Sequence, residues 1–184
     1  MGTAVTDCVF MSSRDGYVWD RCETAFMRPG PETDTNWVYG DCYPALGFYE
    51  VPGILPGQEP VIAMVANSTL QGFDYRHLIQ YTIRRDGFIS RHAGEEECTL
   101  LTKCFIPRAR KLYMNFSTSA RGYIRVEVLD QDCHPLSKLC SDEIFGDNTD
   151  REVSFPEDFA TCEHRIIRLR IRMRDADLYA LRFL

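Results

Sequence analysis

Apolar and charged side chains change places at every step between residues 167 and 174: Ile167, Leu169, Ile171 and Met173 alternate with Arg168, Arg170, Arg172 and Arg174. A repeat of two places one set on each side of an extended chain, whereas a helix would scatter both sets around its circumference. Residues 123–130 carry the same alternation, with Ile124, Val126 and Val128 set between Tyr123, Arg125 and Glu127. Two such segments predict antiparallel strands that bury one face and wet the other, and hence a sandwich-like module.

Short strand-like runs separated by turn residues fill residues 1–94. Residues 5–12 predict a strand, Ser13 to Gly16 a tight turn and residues 17–21 the return, because Asp15 and Gly16 suit a hairpin turn with positive φ at both centres. A loop rich in proline and glycine spans 27–36, and an aromatic stretch follows at 37–43. Further strands are predicted at 45–51, 61–66 and 77–84, after which Asp86 and Gly87 turn the chain into 88–92. Evenly spaced hairpins of this kind suggest propeller-blade-like sheets, although one or two blades cannot close a ring. Gly94 and the glutamates that follow it mark the expected domain boundary. Beyond it, residues 98–106, 111–117, 123–129, 152–155, 165–174 and 178–183 predict the strands of a small sandwich, with Asp175 and Asp177 in the last hairpin turn. No stretch keeps a helical period for more than about two turns. The expected class is therefore all-β, with an antiparallel β-sandwich at 95–184 preceded by propeller-blade-like hairpins at 1–94.

With 45% apolar residues the chain has ample material for a core. No apolar run approaches the roughly 18 residues that cross a bilayer, and the first residues lack a charged region followed by an apolar one, so neither a membrane nor export is expected. A formal net charge of −6 argues against nucleic acid as the main partner, which needs an excess of lysine and arginine on one surface. The arginines at 168–174 are the local exception. Either they pair across the sheet with acids such as Glu127, as opposite charges on neighbouring strands do, or they meet an anionic sugar or acidic partner. The eight cysteines, at 8, 22, 42, 98, 104, 133, 140 and 162, form no CxxC pair and follow no regular spacing. In a chain of this length free buried thiols in a reducing, cytoplasmic compartment are expected rather than a disulfide framework. Zinc is not expected, because His77, His92, His134 and His164 fall in no ligand spacing with the cysteines.

Taken in order along the chain, Ser13, Asp15, Gly16 and Trp19, then residues 26–30, Asn36 with Trp37, Tyr39 to Asp41, 86–90, 101–103, 115–119, 124–127, Gly146 with Asp147, and 174–179 form a recognisable series. This series resembles bacterial proteins similar to glycoside hydrolase families 32 and 43, in which a five-bladed propeller precedes a C-terminal β-sandwich. The resemblance covers nearly the whole chain but only the last part of such a protein. It implies that residues up to about 94 correspond to the final propeller strands and 95–184 to the sandwich. The chain departs from the pattern at Cys133, where a turn glycine is expected, and in the loop at 134–140. Cleaving a glycosidic bond takes two carboxyl groups set across it. The resemblance places both on earlier blades, so no residue of this chain is assigned a catalytic role.

Arg28, Trp37, Tyr39, Asp41 and Tyr43 form the most site-like cluster. Sugars present apolar CH faces and a fan of hydroxyls, which call for an aromatic platform with a carboxylate or guanidinium at its edge. The alternative is that Trp37 and the tyrosines pack between blade and sandwich. Asp130, Asp132, Asp142, Asp147 and Asp150 lie in predicted loops, where oxygen ligands suit a structural calcium. They lack the alternation of an EF-hand loop, however, and isolated loop aspartates mostly cap turns. No other cofactor is expected, and no Gly-x-Ser-x-Gly elbow marks a serine nucleophile.

The expected role is the C-terminal accessory region of a glycoside-hydrolase-like protein, structural or carbohydrate-binding, without a complete active site. One alternative is a glycosidase that uses acids such as Asp41 or Glu50 in a site completed by an oligomer or partner. The other is a protein-interaction module whose open strand edges pair with another chain. Open edges and apolar blade faces also predict a homo-oligomer or a catalytic propeller partner.

Overall fold

The apolar positions of the 167–174 alternation are buried: Ile167, Leu169 and Ile171 have no exposed surface and Met173 retains 3%. The arginines between them lie on the other side of the sheet. The computed structural model describes residues 5–33, 36–37, 40–67 and 78–184. It is all-β with antiparallel sheets. Among the described residues no helix is long and apolar enough to cross a membrane. The chain divides into two units, Met1–Arg85 and Asp86–Leu184.

In the first unit β1 (Cys8–Ser12) pairs antiparallel with β2 (Asp20–Met27), and Ser12 faces Asp20. The connection therefore runs over 13–19 and is longer than the two-residue turn that Asp15 and Gly16 predict. Side-chain bonding explains the difference. The Asp15 carboxylate accepts from the backbone N–H groups of Tyr17 (2.8 Å) and Val18 (2.9 Å), and the Ser13 hydroxyl accepts from that of Gly16 (2.8 Å). These local bonds replace the ladder of a tight hairpin. A second sheet joins β3 (Tyr49–Val51), β4 (Val61–Asn67) and β5 (Leu78–Arg84) in that order. Met27, Cys42, Met64 and Ala66 form a small core, with Cys8, Phe26 and Tyr81 packed against it.

The second unit holds β6 (Arg91–Ala93), β7 (Cys98–Leu101), β8 (Leu112–Leu129), β9 (Pro135–Cys140), β10 (Asp147–Glu152) and β11 (Arg168–Phe183). The sheet order is β10-β8-β11-β6, with β7 also on β11 and β9 also on β8. Asp86 and Gly87 thus do not close a hairpin onto β5. They lead into β6, whose residues pair with Ala176, Asp177 and Leu178, so this stretch belongs to the second unit.

Asp175 and Asp177 are not hairpin-turn residues. The strands predicted on either side of them are one, β11, and those predicted at 111–117 and 123–129 are likewise one, β8. The two run antiparallel along their full length, from Arg168 opposite Leu129 to Phe183 opposite Leu112. The ladder breaks where Asp175 alone stands opposite residues 119–122, and it shifts again at Tyr179. Asp175 has φ 44°, so an acidic side chain that tolerates the left-handed region makes a bulge where a turn was expected.

Each shift changes which side chains face inward. On β11 the buried positions run through Leu169, Ile171 and Met173, then Ala176 and Leu178, with Leu181 and Phe183 partly buried beyond. One core joins them to Leu112, Met114 and Phe116 from one half of β8 and to Ile124, Val126 and Val128 from the other. A long antiparallel strand pair bent at a bulge in this way closes a single sheet into a sandwich-like fold.

Candidate functional site

Of the five residues that sequence chemistry groups together, the four that are described do not all reach the surface. Arg28 is exposed just beyond β2, and Trp37 is half-buried with φ 57°. The Trp37 indole donates to the Gly30 carbonyl (2.8 Å) and the Asn36 amide donates to the carbonyls of Pro29 (3.0 Å) and Pro31 (2.7 Å), so both side chains fasten the 29–37 loop to itself. Asp41 is completely buried, and its neighbour Cys42 is 3% exposed. Tyr43 is exposed. Tyr39 lies outside the described residues.

The neighbourhood of Asp41 is interior. Burial, then the charges of Asp41, Cys8 and Asp7, pushes the Cys42 thiol up. Burial, followed by the Cys42 and Asp41 charges, raises the Tyr81 phenol. Such thiols stay protonated and inert at neutral pH. Of the eight cysteines, only Cys42 and Cys162 are buried, while Cys98 and Cys104 are exposed, so the expectation of buried thiols is corrected for most of them. Glu50, an acid of the glycosidase alternative, pairs with Arg85 at 2.6 Å.

A row of charged and aromatic side chains lies instead in the second unit, at a cleft of about 650 Å³. Tyr113 on β8 stands directly opposite Glu152 on β10 and directly opposite Arg182 on β11. Directly paired residues share a face of the sheet, so Glu152, Tyr113 and Arg182 form one row across three strands. The Tyr113 hydroxyl donates to a Glu152 carboxylate oxygen (3.2 Å), and the Lys111 ammonium donates to the same oxygen (3.0 Å). The Arg182 guanidinium lies over the Tyr113 ring, 5.0 Å from its centroid, and also pairs with Asp150. Glu152 raises the Lys111 ammonium above its ordinary range, first through the hydrogen bond and then through its charge.

Phe155 and Phe159 supply the apolar part of the cleft, with rings stacked at 5.8 Å and 20°. Phe159 opens a short 3-10 turn, Phe159–Cys162, which Asp158 caps by accepting from the Ala160 N–H (2.9 Å). Its ring also meets Phe183 of β11. The cap and the aromatic stack fix the cleft wall to the core. A ring face, an apolar wall and a carboxylate beside an ammonium can receive the CH face and the hydroxyls of a sugar.

Of the five loop aspartates considered for calcium, Asp130 and Asp132 come together, and His134 joins them. One Asp130 oxygen accepts from the backbone N–H groups of Asp132 and His134, both at 2.9 Å, and these bonds hold its carboxyl below the usual range. This is the turn-capping role of a loop aspartate. Asp150 is paired with Arg182. Calcium takes six to eight oxygen ligands, and a histidine nitrogen does not suit it.

No family model, curated protein sequence or solved structure matches the chain.

The residues that sequence reasoning missed are Lys111, Tyr113, Glu152, Phe155 and Arg182. Lys111 and Tyr113 sit two apart on a predicted strand and thus on one face. Their meeting with Glu152 and Arg182 depends on strand register, which no local pattern encodes.

Proposed function

We propose that this chain is a carbohydrate-binding accessory region of a glycoside-hydrolase-like protein, with the cleft of the sandwich-like unit as its sugar site and no catalytic carboxyl pair of its own. The observation that carries the reading is that Lys111, Tyr113 and Glu152 line the cleft together with Phe155, which joins an aromatic face to polar groups. In this reading the hairpins of the first unit are the last strands of a propeller.

Titration with neutral gluco- and xylo-oligosaccharides, followed by NMR, tests it. Shifts centred on Tyr113 and Phe155 are expected, with affinity at least about tenfold weaker in Tyr113→Ala and Phe155→Ala. Aryl glycosides should remain uncleaved. Absence of any response, or a response that both variants leave unchanged, overturns the cleft as the site. A response lost only in Trp37→Ala would move it to the first unit.

A protein-interaction role is favoured by a separate observation. Tyr17, Trp19, Leu46, Phe48, Ile54 and Leu78 of the first unit are all more than half exposed. Exposed apolar side chains such as these supply the material of a contact with another chain where they adjoin. Sedimentation of the purified chain across concentration checks this reading, since a strictly monomeric species would count against it.

A further inference from the structure

The wet face of the long β8–β11 pair carries a charge pattern that the cleft does not use. On β11, Arg168, Arg170, Arg172 and Arg174 stand on the side away from the core, and Arg125 and Glu127 of β8 share that side. Two of these arginines are already engaged. Arg170 stands directly opposite Glu127 and bonds to it at 2.8 Å, as the opposite-charge pattern predicts, and Arg168 donates to the Cys104 sulfur (3.0 Å).

The next rung is different. Arg172 stands directly opposite Arg125, so two cationic side chains leave the same face of the sheet at one rung. Like charges in this position oppose sheet formation. Arg125 is nevertheless held in place, for its Nε donates to the Cys140 sulfur (3.3 Å) and to the Ser141 carbonyl (3.2 Å). That leaves its terminal nitrogens for another acceptor. Arg174, one rung further along, is exposed. The nearby acids are Glu127, committed to Arg170; Glu97, which accepts from the Tyr123 hydroxyl at 2.6 Å; and Glu143, which lies close enough to act on Arg125. An anion seated between Arg125 and Arg172 would turn a repulsion into a pair of charge-assisted hydrogen bonds.

We propose that the rung of Arg125 and Arg172, with Arg174 beside it, binds the carboxylates of an acidic polysaccharide. The class of polymer rests on the carbohydrate reading above, and the charge rests on the sheet alone. A carboxylate matches the guanidinium fork bidentately. Successive outward residues of a strand lie about 6.6–6.8 Å apart, so Arg172 and Arg174 offer a repeated charge to a linear chain. The net charge of −6 over the whole chain disfavours the denser charge of nucleic acid.

Affinity electrophoresis of the full chain through gels containing polygalacturonate, dextran sulfate, neutral dextran or no polymer tests this. Polygalacturonate should retard the protein, neutral dextran should retard it less, and the effect should fall as salt screens the charges. In Arg125→Gln/Arg172→Gln the apparent affinity should fall at least about tenfold. Arg172→Gln alone, which keeps the Arg125 bonds to Cys140 and Ser141, should lose a part of the same sign. Retardation that both variants leave unchanged overturns the proposal, as does equal retardation by neutral dextran. Duplex DNA bound as tightly, with the same arginine dependence, would overturn the polysaccharide assignment. Dextran sulfate bound more tightly than polygalacturonate would overturn the carboxylate. The Tyr113→Ala variant separates the two readings, because it should lose neutral oligosaccharides yet keep polygalacturonate. A wild-type chain that binds the neutral sugars but not the acidic polymer sinks this inference, and one that binds the acidic polymer but not the neutral sugars sinks the cleft.

Discussion

A methyl group placed on Gly122 would lie 2.1 Å from the backbone oxygen of Asp175, well inside contact distance. The two residues meet where the long β8–β11 pair bends, with Asp175 in the left-handed region and the stretch 119–122 bulging opposite it. Any side chain on Gly122 must push backbone against backbone, which cannot turn aside as a flexible side chain would. Gly122→Ala should therefore destabilise the second unit by about 1–3 kcal/mol or more. Urea denaturation checks it, and an unchanged midpoint would show that the bend is not closely packed.

The bend also explains where sequence reasoning succeeded and where it failed. Alternation at 167–174 is legible because one face is wholly apolar and the other wholly basic. Asp175 and Asp177 imitate a turn, since aspartate favours both turns and left-handed bulges, and only pairing across to residues 115–118 reveals a continuing strand. β9 and β10 escaped notice because edge strands such as Asp147–Glu152 carry polar side chains on both faces. The candidate site was less legible than the fold. Trp37 and Asp41 have the residue types of a sugar site, but one is bonded to its own loop and the other is buried.

Arg170 and Glu127 are only 26% and 20% exposed, so their pair is less screened than a surface one. A double-mutant cycle with Arg170→Gln and Glu127→Gln should give a coupling of about 0.5–1 kcal/mol in the stabilising direction. Added salt should reduce it only in part. Zero coupling would mean that the contact contributes no stability.

Acid should loosen two turns before it unfolds the sheet. Backbone N–H groups from Val18 and Tyr17 hold the Asp15 carboxyl below its ordinary value, and those from His134 and Asp132 do the same for Asp130. A carboxyl with a depressed folded value contributes stability that is present above its unfolded value, near 3.9. That contribution is lost as pH falls through the folded value. NMR shifts of the Val18 and His134 amides should therefore move together below about pH 4, and Asp15→Asn should abolish the first response. Amide shifts that stay flat down to pH 2 would contradict the assigned bonds.

Thiol chemistry should follow burial. Cys98 and Cys104 are exposed, whereas burial raises the Cys42 and Cys162 thiols. Timed alkylation read by mass spectrometry should label the first pair early and the second only on unfolding. Early labelling of Cys162 would show that the core of the second unit opens without global unfolding.

Cys133 offers a test in which stability should rise. Its φ of 69° lies in the left-handed region that a turn glycine adopts without strain. A side chain there costs roughly 1–2 kcal/mol. Glycine removes that cost but adds about 0.5–1 kcal/mol of unfolded-chain entropy. Cys133→Gly should thus stabilise the second unit by about 0.5–1 kcal/mol, the difference between the two effects. A thermal midpoint raised by a few degrees would agree. A lowered midpoint would mean that the sulfur, which lies beside the Arg168 guanidinium, contributes more through that contact than its backbone strain takes away.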